Sequence, residues 1–159
     1  MEEISQKRIN KDLLALMKKK FVLPTPEYLQ VPRINQIIPV NGRFIWNVFL
    51  IGPVDTPYQG YKWTVQIDFP KNFPFSAPII RFIDKIFHPN ISFDTGITYL
   101  FEEWKFVAID VLFEKLNNIL ITPILDQPLN SVALTLFIKR NGYPEKVISY
   151  AEDYNVTKI

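Results

Sequence analysis

The seven residues Trp63–Phe69, WTVQIDF, alternate strictly, with Trp63, Val65, Ile67 and Phe69 on one side and Thr64, Gln66 and Asp68 on the other. A period of two is what a strand with one face in a core requires, so this segment is predicted to be a half-buried β-strand. Upstream, RFIWNVFLIG is apolar almost throughout and reads as another strand, preceded by a third at Arg33–Ile38 that carries Ile34 and Ile37. Asn41-Gly42 separates these two runs, and that dipeptide favours the backbone of a tight hairpin turn. GPVDTPYQG supplies two prolines and two glycines and reads as a loop. A fourth strand, IIRFID at Ile79–Asp84, is reached through the proline-rich FPKNFPFSAP.

Elsewhere the period is helical. From Ser5 to about Lys19, Ile9, Leu13, Leu16 and Met17 gather on one side of a helix while Lys7, Arg8, Lys11 and Asp12 face out, with Ser5 as its cap. FVLPTPEY ends that helix, because each proline lacks an amide donor and disfavours helical geometry before it. Val107, Val111, Leu112, Leu116, Ile119 and Leu120 predict a long helix that stops before Pro123. Two more are predicted at about Asn130–Lys139 and Pro144–Tyr154, proline being suited to a first helical position. Helix, four-stranded antiparallel meander, extended segment and C-terminal helices make an α+β domain, expected to be a single unit over residues 1–159.

Composition narrows the function classes. With 48% hydrophobic and 21% charged residues the chain is globular in character, and a net charge of +2 is too mild to imply nucleic acid. The one dense basic run, Lys18-Lys19-Lys20, falls where a helix C-terminus favours cations. No apolar run approaches the length of a membrane span, and MEEISQKRIN carries two acids where a cleavable address would avoid them. The expectation is a cytoplasmic or nuclear protein, with an internal organelle address still compatible. The absence of cysteine excludes disulfides, thiolate metal sites and thiol nucleophiles, and no cofactor or metal is expected.

That absence sets a puzzle in Phe87–Trp104, FHPNISFDTGITYLFEEW. The motifs GPVDTPYQGYKW, IDFPKNFPFSAPIIRF, HPNI, GITYL, EEW and LDQPLN follow one another in the order and at the distances found in ubiquitin-conjugating enzymes. The chain resembles that family from its first helix to its last. In the family a reactive cysteine follows His-Pro-Asn, within a pattern of Gly, any residue, an aliphatic, Cys and Leu. Matching Gly96 and Leu100 to that pattern puts Tyr99 at the cysteine position; an ungapped count from the turn puts Thr98 there. A phenol of pKa ~10 stays protonated at neutral pH, and an unassisted threonine is a poor nucleophile.

The resemblance carries over further residues with altered roles. The family's acid after Cys-Leu is replaced by Phe101, and its acid or serine just before a proline falls at Thr122. Asn90 matches the asparagine that supports the oxyanion when a lysine attacks the thioester; with no thioester, its expected role is to bridge backbone groups of the turn. His88, beside Pro89, is expected to be a hydrogen-bonded structural residue and not a base. The pattern resembles the cysteine-less conjugating-enzyme variants, which bind proteins without transferring ubiquitin.

The resemblance therefore implies a non-catalytic protein working through protein partners. One reading is a structural subunit of a large assembly; the other is a regulatory variant that binds ubiquitin or an active conjugating enzyme. Family members meet ligases through the first helix and two loops. Phe75 matches the anchor of one loop, whereas Phe106-Val107 replace the Pro-Ala pair of the other. Phe93, Phe101 and Phe106 complete the candidate interface, because dense aromatics in irregular chain commonly anchor partners.

Overall fold

The computed structural model describes residues 7–8, 11, 33–40, 43–101, 103–105 and 109–159. Strand alternation builds its sheet. Strands β1 (Arg33–Val40), β2 (Arg43–Ile51), β3 (Tyr61–Phe69) and β4 (Ile79–Phe82) pair in succession, each antiparallel to the last. This is the expected meander, with Trp46 opposite Ile67 and Val48 opposite Val65. Val40 pairs with Arg43 where β1 meets β2, and the turn expected at Asn41-Gly42 lies outside the described residues.

Two short strands extend the meander to six strands: β5 (Ile97–Thr98) lies on β4, and β6 (Thr157–Lys158) lies on β3. Neither was foreseen, because two residues are too few to show a period. Their pairing is set by partners distant in sequence, Ile80 for Thr98 and Tyr61 for Lys158.

Three helices follow: α1 (Ile109–Ile121), α2 (Ser131–Lys139) and α3 (Tyr143–Asp153). Asn130 caps α2, its Oδ1 accepting from the N–H of Ala133 at 3.0 Å, and the helix stops where Arg140 turns left-handed at φ 51°. α3 starts at Tyr143, one residue ahead of the expected Pro144, which still occupies its first turn. The inner face of the sheet, with Trp46, Val48, Trp63, Val65 and Ile67 all buried, forms one core with Leu112, Leu116 and Leu120 of α1. Each such side chain removed from water contributes ~1.5–3 kcal/mol. Among the described residues no helix is long and apolar enough to cross a membrane.

Lys7, Arg8 and Lys11 are helical. The rest of the expected Ser5–Lys19 helix, the Lys18–Lys20 run and the FVLPTPEY break lie outside the described residues.

Candidate functional site

The His-Pro-Asn turn is wired to the helices beneath it. The backbone N–H of Asn90 donates to Nδ1 of His88 at 2.9 Å, which leaves Nε2 to carry the ring proton and donate it to the carbonyl of Ile119 at 2.7 Å. Both ring nitrogens are thus committed, and the ring is fully buried. Burial lowers the imidazole pKa to about 4, against the opposing pull of the Ile119 hydrogen bond. A neutral, enclosed imidazole with no free lone pair is no general base, so the structural reading of His88 is the one its geometry supports.

Asn90 behaves differently from expectation. Its side chain does not close the turn on itself but reaches across to the segment after α1: Nδ2 donates to the Ile124 carbonyl at 2.6 Å and Oδ1 accepts from the Ile124 N–H at 2.8 Å. Pro89 adds its carbonyl, which accepts from Leu129 N–H at 2.8 Å and Asn130 N–H at 3.1 Å. The turn therefore fixes the whole connection from α1 to the cap of α2. Behind it, the Tyr58 hydroxyl donates to the Phe87 carbonyl at 2.7 Å and accepts from the Tyr143 hydroxyl. Burial raises the pKa of both phenols, that of Tyr143 to about 12.

The segment that follows is shaped by Gly96, at φ 75°, where a Cβ would strike the Phe82 carbonyl at 2.1 Å. Lys85 holds the loop from the other side, donating to the Phe93 carbonyl at 2.6 Å with its ammonium over the Phe93 ring. Thr98 then enters β5 and points inward, 3% exposed, its Oγ1 without a hydrogen-bond partner among the described residues. Tyr99 points outward, 71% exposed. It shares a groove with Asn90, Phe101, Ile124, Asp126 and Leu129. Among the described residues no hydrogen bond reaches its phenol, and no cluster of acidic or histidine side chains could hold a metal ion.

The expected interface residues scatter. Phe75 is 56% exposed. Phe93 is half-buried under the rings of Tyr150 and Tyr154, with centroids at 5.4 and 5.7 Å, and Phe101 is half-buried against Trp104. Trp104 is itself pinned by a bond from its indole N–H to the Pro74 carbonyl at 2.7 Å. Thr122 is exposed beyond the end of α1, ahead of a buried Pro123. Phe106 and Val107 lie outside the described residues. Ile124, Tyr58, Tyr143 and Lys85 went unread in the sequence, and for Ile124 nothing there could have shown it, because it acts through backbone atoms.

The family model of ubiquitin-conjugating enzymes matches residues 15–151 of the chain. The chain belongs to the ubiquitin-conjugating enzyme family. A Saccharomyces cerevisiae relative, ubiquitin-conjugating enzyme E2-24 kDa, is 30% identical over 94% of the chain, which spans 66% of the relative's length. Ubiquitin-conjugating enzyme E2 pex4 of Dictyostelium discoideum is 35% identical over 80% of this chain and 85% of its own. Among solved structures, the E2 domain of a Toxoplasma gondii ubiquitin conjugating enzyme superposes with a TM-score of 0.74 at 25% identity, covering 94% of this chain and 98% of that one. H. polymorpha Pex4p, solved in complex with the soluble domain of Pex22p, superposes at 0.76 with 22% identity and shares the fold over 94% of this chain and 97% of its own. The chain contains no cysteine.

Proposed function

We propose that the chain is a conjugating-enzyme fold without conjugating chemistry, acting through protein binding as a structural subunit of a larger assembly. The observation that carries this reading is the side chain presented over the Asn90 groove. Tyr99 is exposed there and Thr98 is buried beneath it, so Tyr99 is the residue we place at the family's cysteine position. A phenol without an activating base beside it is a poor nucleophile for acyl transfer. Asn90 meanwhile spends both ends of its amide on Ile124, which gives the motif a structural reason to persist. The H. polymorpha Pex4p structure was solved with a bound partner domain, and a role of that kind is what we carry over to this chain.

A regulatory variant that binds ubiquitin or an active conjugating enzyme is the second reading, and the exposure of Phe75 favours it, since that anchor is still presented. Two measurements test these readings. Incubated with activating enzyme, ATP and ubiquitin, the chain is expected to form neither a reductant-sensitive nor a hydroxylamine-sensitive adduct; an adduct lost in Tyr99→Phe or Thr98→Ala overturns the non-catalytic reading. Native co-purification separates the roles: a fixed place in a large complex supports the structural subunit, and stoichiometric ubiquitin or conjugating enzyme supports the regulator.

A further inference from the structure

A second groove, of about 740 Å3, opens where the end of α1, the corner between α2 and α3 and the loop before β3 meet. Tyr58 and Tyr143 line it from below, both buried, their hydroxyls spent on each other and on the Phe87 carbonyl. Thr56 commits its hydroxyl to the Pro53 carbonyl at 2.7 Å, so no hydroxyl of the lining is free. Three apolar side chains of the same groove stay in water: Ile121 is 51%, Leu125 50% and Ile138 58% exposed. Asp55, Arg140 and Glu145 also line it, all three exposed, and among the described residues none of them makes a side-chain hydrogen bond or an ion pair. Asp55 stands three residues before Tyr58 and Glu145 two after Tyr143, so the two carboxylates belong to the segments that the bond between those tyrosines joins. Asp55 and Arg140 both hold left-handed backbone, at φ 62° and 51°. Such conformations are uncommon for residues that carry a Cβ, and they gather at binding sites.

We propose that this groove binds a segment of a partner protein in which apolar and basic residues are interspersed. Its apolar side chains cover Ile121, Leu125 and Ile138, and a lysine or arginine reaches Asp55 and Glu145. Charge complementarity selects this occupant. Two carboxylates stand against one guanidinium, and none is neutralised within the chain, so a basic side chain finds opposite charge where an acidic one meets repulsion. A purely apolar segment would take both carboxylates out of water without giving them a partner. Arg140, which can only donate, is left to the carbonyls of the segment's backbone. The proposal rests on the reading of the chain as a protein-binding subunit and owes nothing to the degenerate catalytic site.

The probe is a fluorescein-labelled peptide of alternating leucine and lysine, with counterparts carrying glutamate for lysine or serine for leucine. Fluorescence anisotropy with the full chain is expected to show the leucine–lysine peptide bound at least about tenfold more tightly than either counterpart. Ile138→Asp is expected to weaken that binding at least about tenfold, and Asp55→Asn combined with Glu145→Gln about tenfold at low salt, with circular dichroism unchanged because all three positions are exposed. A glutamate peptide that binds as tightly overturns the proposal, and so does either variant binding the leucine–lysine peptide like the wild type. A dimer of the chain that Ile138→Asp abolishes also overturns it, by giving the groove to a second copy. A native partner that co-purifies equally well with Ile138→Asp overturns this site while leaving the protein-binding reading in place, whereas a chain that co-purifies with nothing removes both.

Discussion

His88 and Asn90 are tied to each other before either reaches the rest of the fold: the Asn90 amide N–H donates to Nδ1 of His88 at 2.9 Å, and from that pair one hydrogen bond runs to Ile119 and two run to Ile124. Thirty-one and thirty-four residues are closed into one knot by this turn. It is a motif of an enzyme family put to the work of holding the connection between α1 and α2.

The first consequence is a pH dependence to which His88, the one histidine of the chain, contributes. In the unfolded chain an imidazole titrates near 6.5, whereas the folded state holds His88 at about 4. Above pH ~6.5 both states are neutral and the full stability is present. As the pH falls below that value only the unfolded chain takes up the proton, so stability declines, by ~1.4 kcal/mol at pH 5.5 and ~3 kcal/mol as pH 4 is approached. Urea melts at pH 7.5 and 5.5 measure this, and His88→Gln, less stable overall, is expected to lose the difference. A wild-type chain equally stable at both values would refute the buried neutral imidazole.

Asn90→Ala removes both bonds to Ile124. Ile124 is exposed, so water reaches its freed N–H and carbonyl in part, and the expected loss is ~1–3 kcal/mol. Hydrogen exchange should localise the damage, with faster exchange at Ile124, Leu129 and Asn130 and unchanged protection in β2 and β3. Loosening confined to the 88–90 turn would show that the clamp carries little.

The Tyr58–Tyr143 pair makes an asymmetric prediction. Tyr143→Phe deletes a hydroxyl that donates to Tyr58, which keeps its own bond to the Phe87 carbonyl, so the cost is ~0.5–1.5 kcal/mol. Tyr58→Phe strands both the buried Phe87 carbonyl and the Tyr143 hydroxyl, and is expected to cost ~2–4 kcal/mol. Chemical denaturation of the two variants gives the order; the reverse order would mean that the proton between the rings runs the other way.

Much of this architecture is written locally, and the rest is not. WTVQIDF announces β3 and its buried face because alternation is a property of neighbours along the chain, and Ile67→Ala is accordingly expected to cost ~2–5 kcal/mol. Asn130 and Pro144 mark the helix starts for the same local reason. Phe93 and Phe101 were expected as interface anchors, yet each is half-covered, one by Tyr150 of α3 and Tyr154 just beyond its end, the other by Trp104. The Phe93 contact spans more than fifty residues, and no composition or period encodes it. Likewise the sequence left Thr98 and Tyr99 as alternatives, since one insertion exchanges them; the pairing of Thr98 with Ile80 decides which points inward.

That last point is open to direct chemical measurement. β5 pairs with β4 through Ile80 and Thr98, and successive side chains of a strand face opposite ways, so an inward Thr98 makes the next residue face solvent. Thr98→Cys and Tyr99→Cys each supply the chain with its only thiol. Exposure sets the rate at which such a thiol meets an aqueous disulfide reagent, and burial also raises its pKa, which reduces the reactive thiolate further. Tyr99→Cys is therefore expected to react at about the rate of a small free thiol, and Thr98→Cys at least ~100-fold more slowly in the native state, with both equal in urea. Equal native rates would mean that β5 is not formed in solution. A faster Thr98→Cys would shift the register by one residue and return Thr98 to the family's cysteine position.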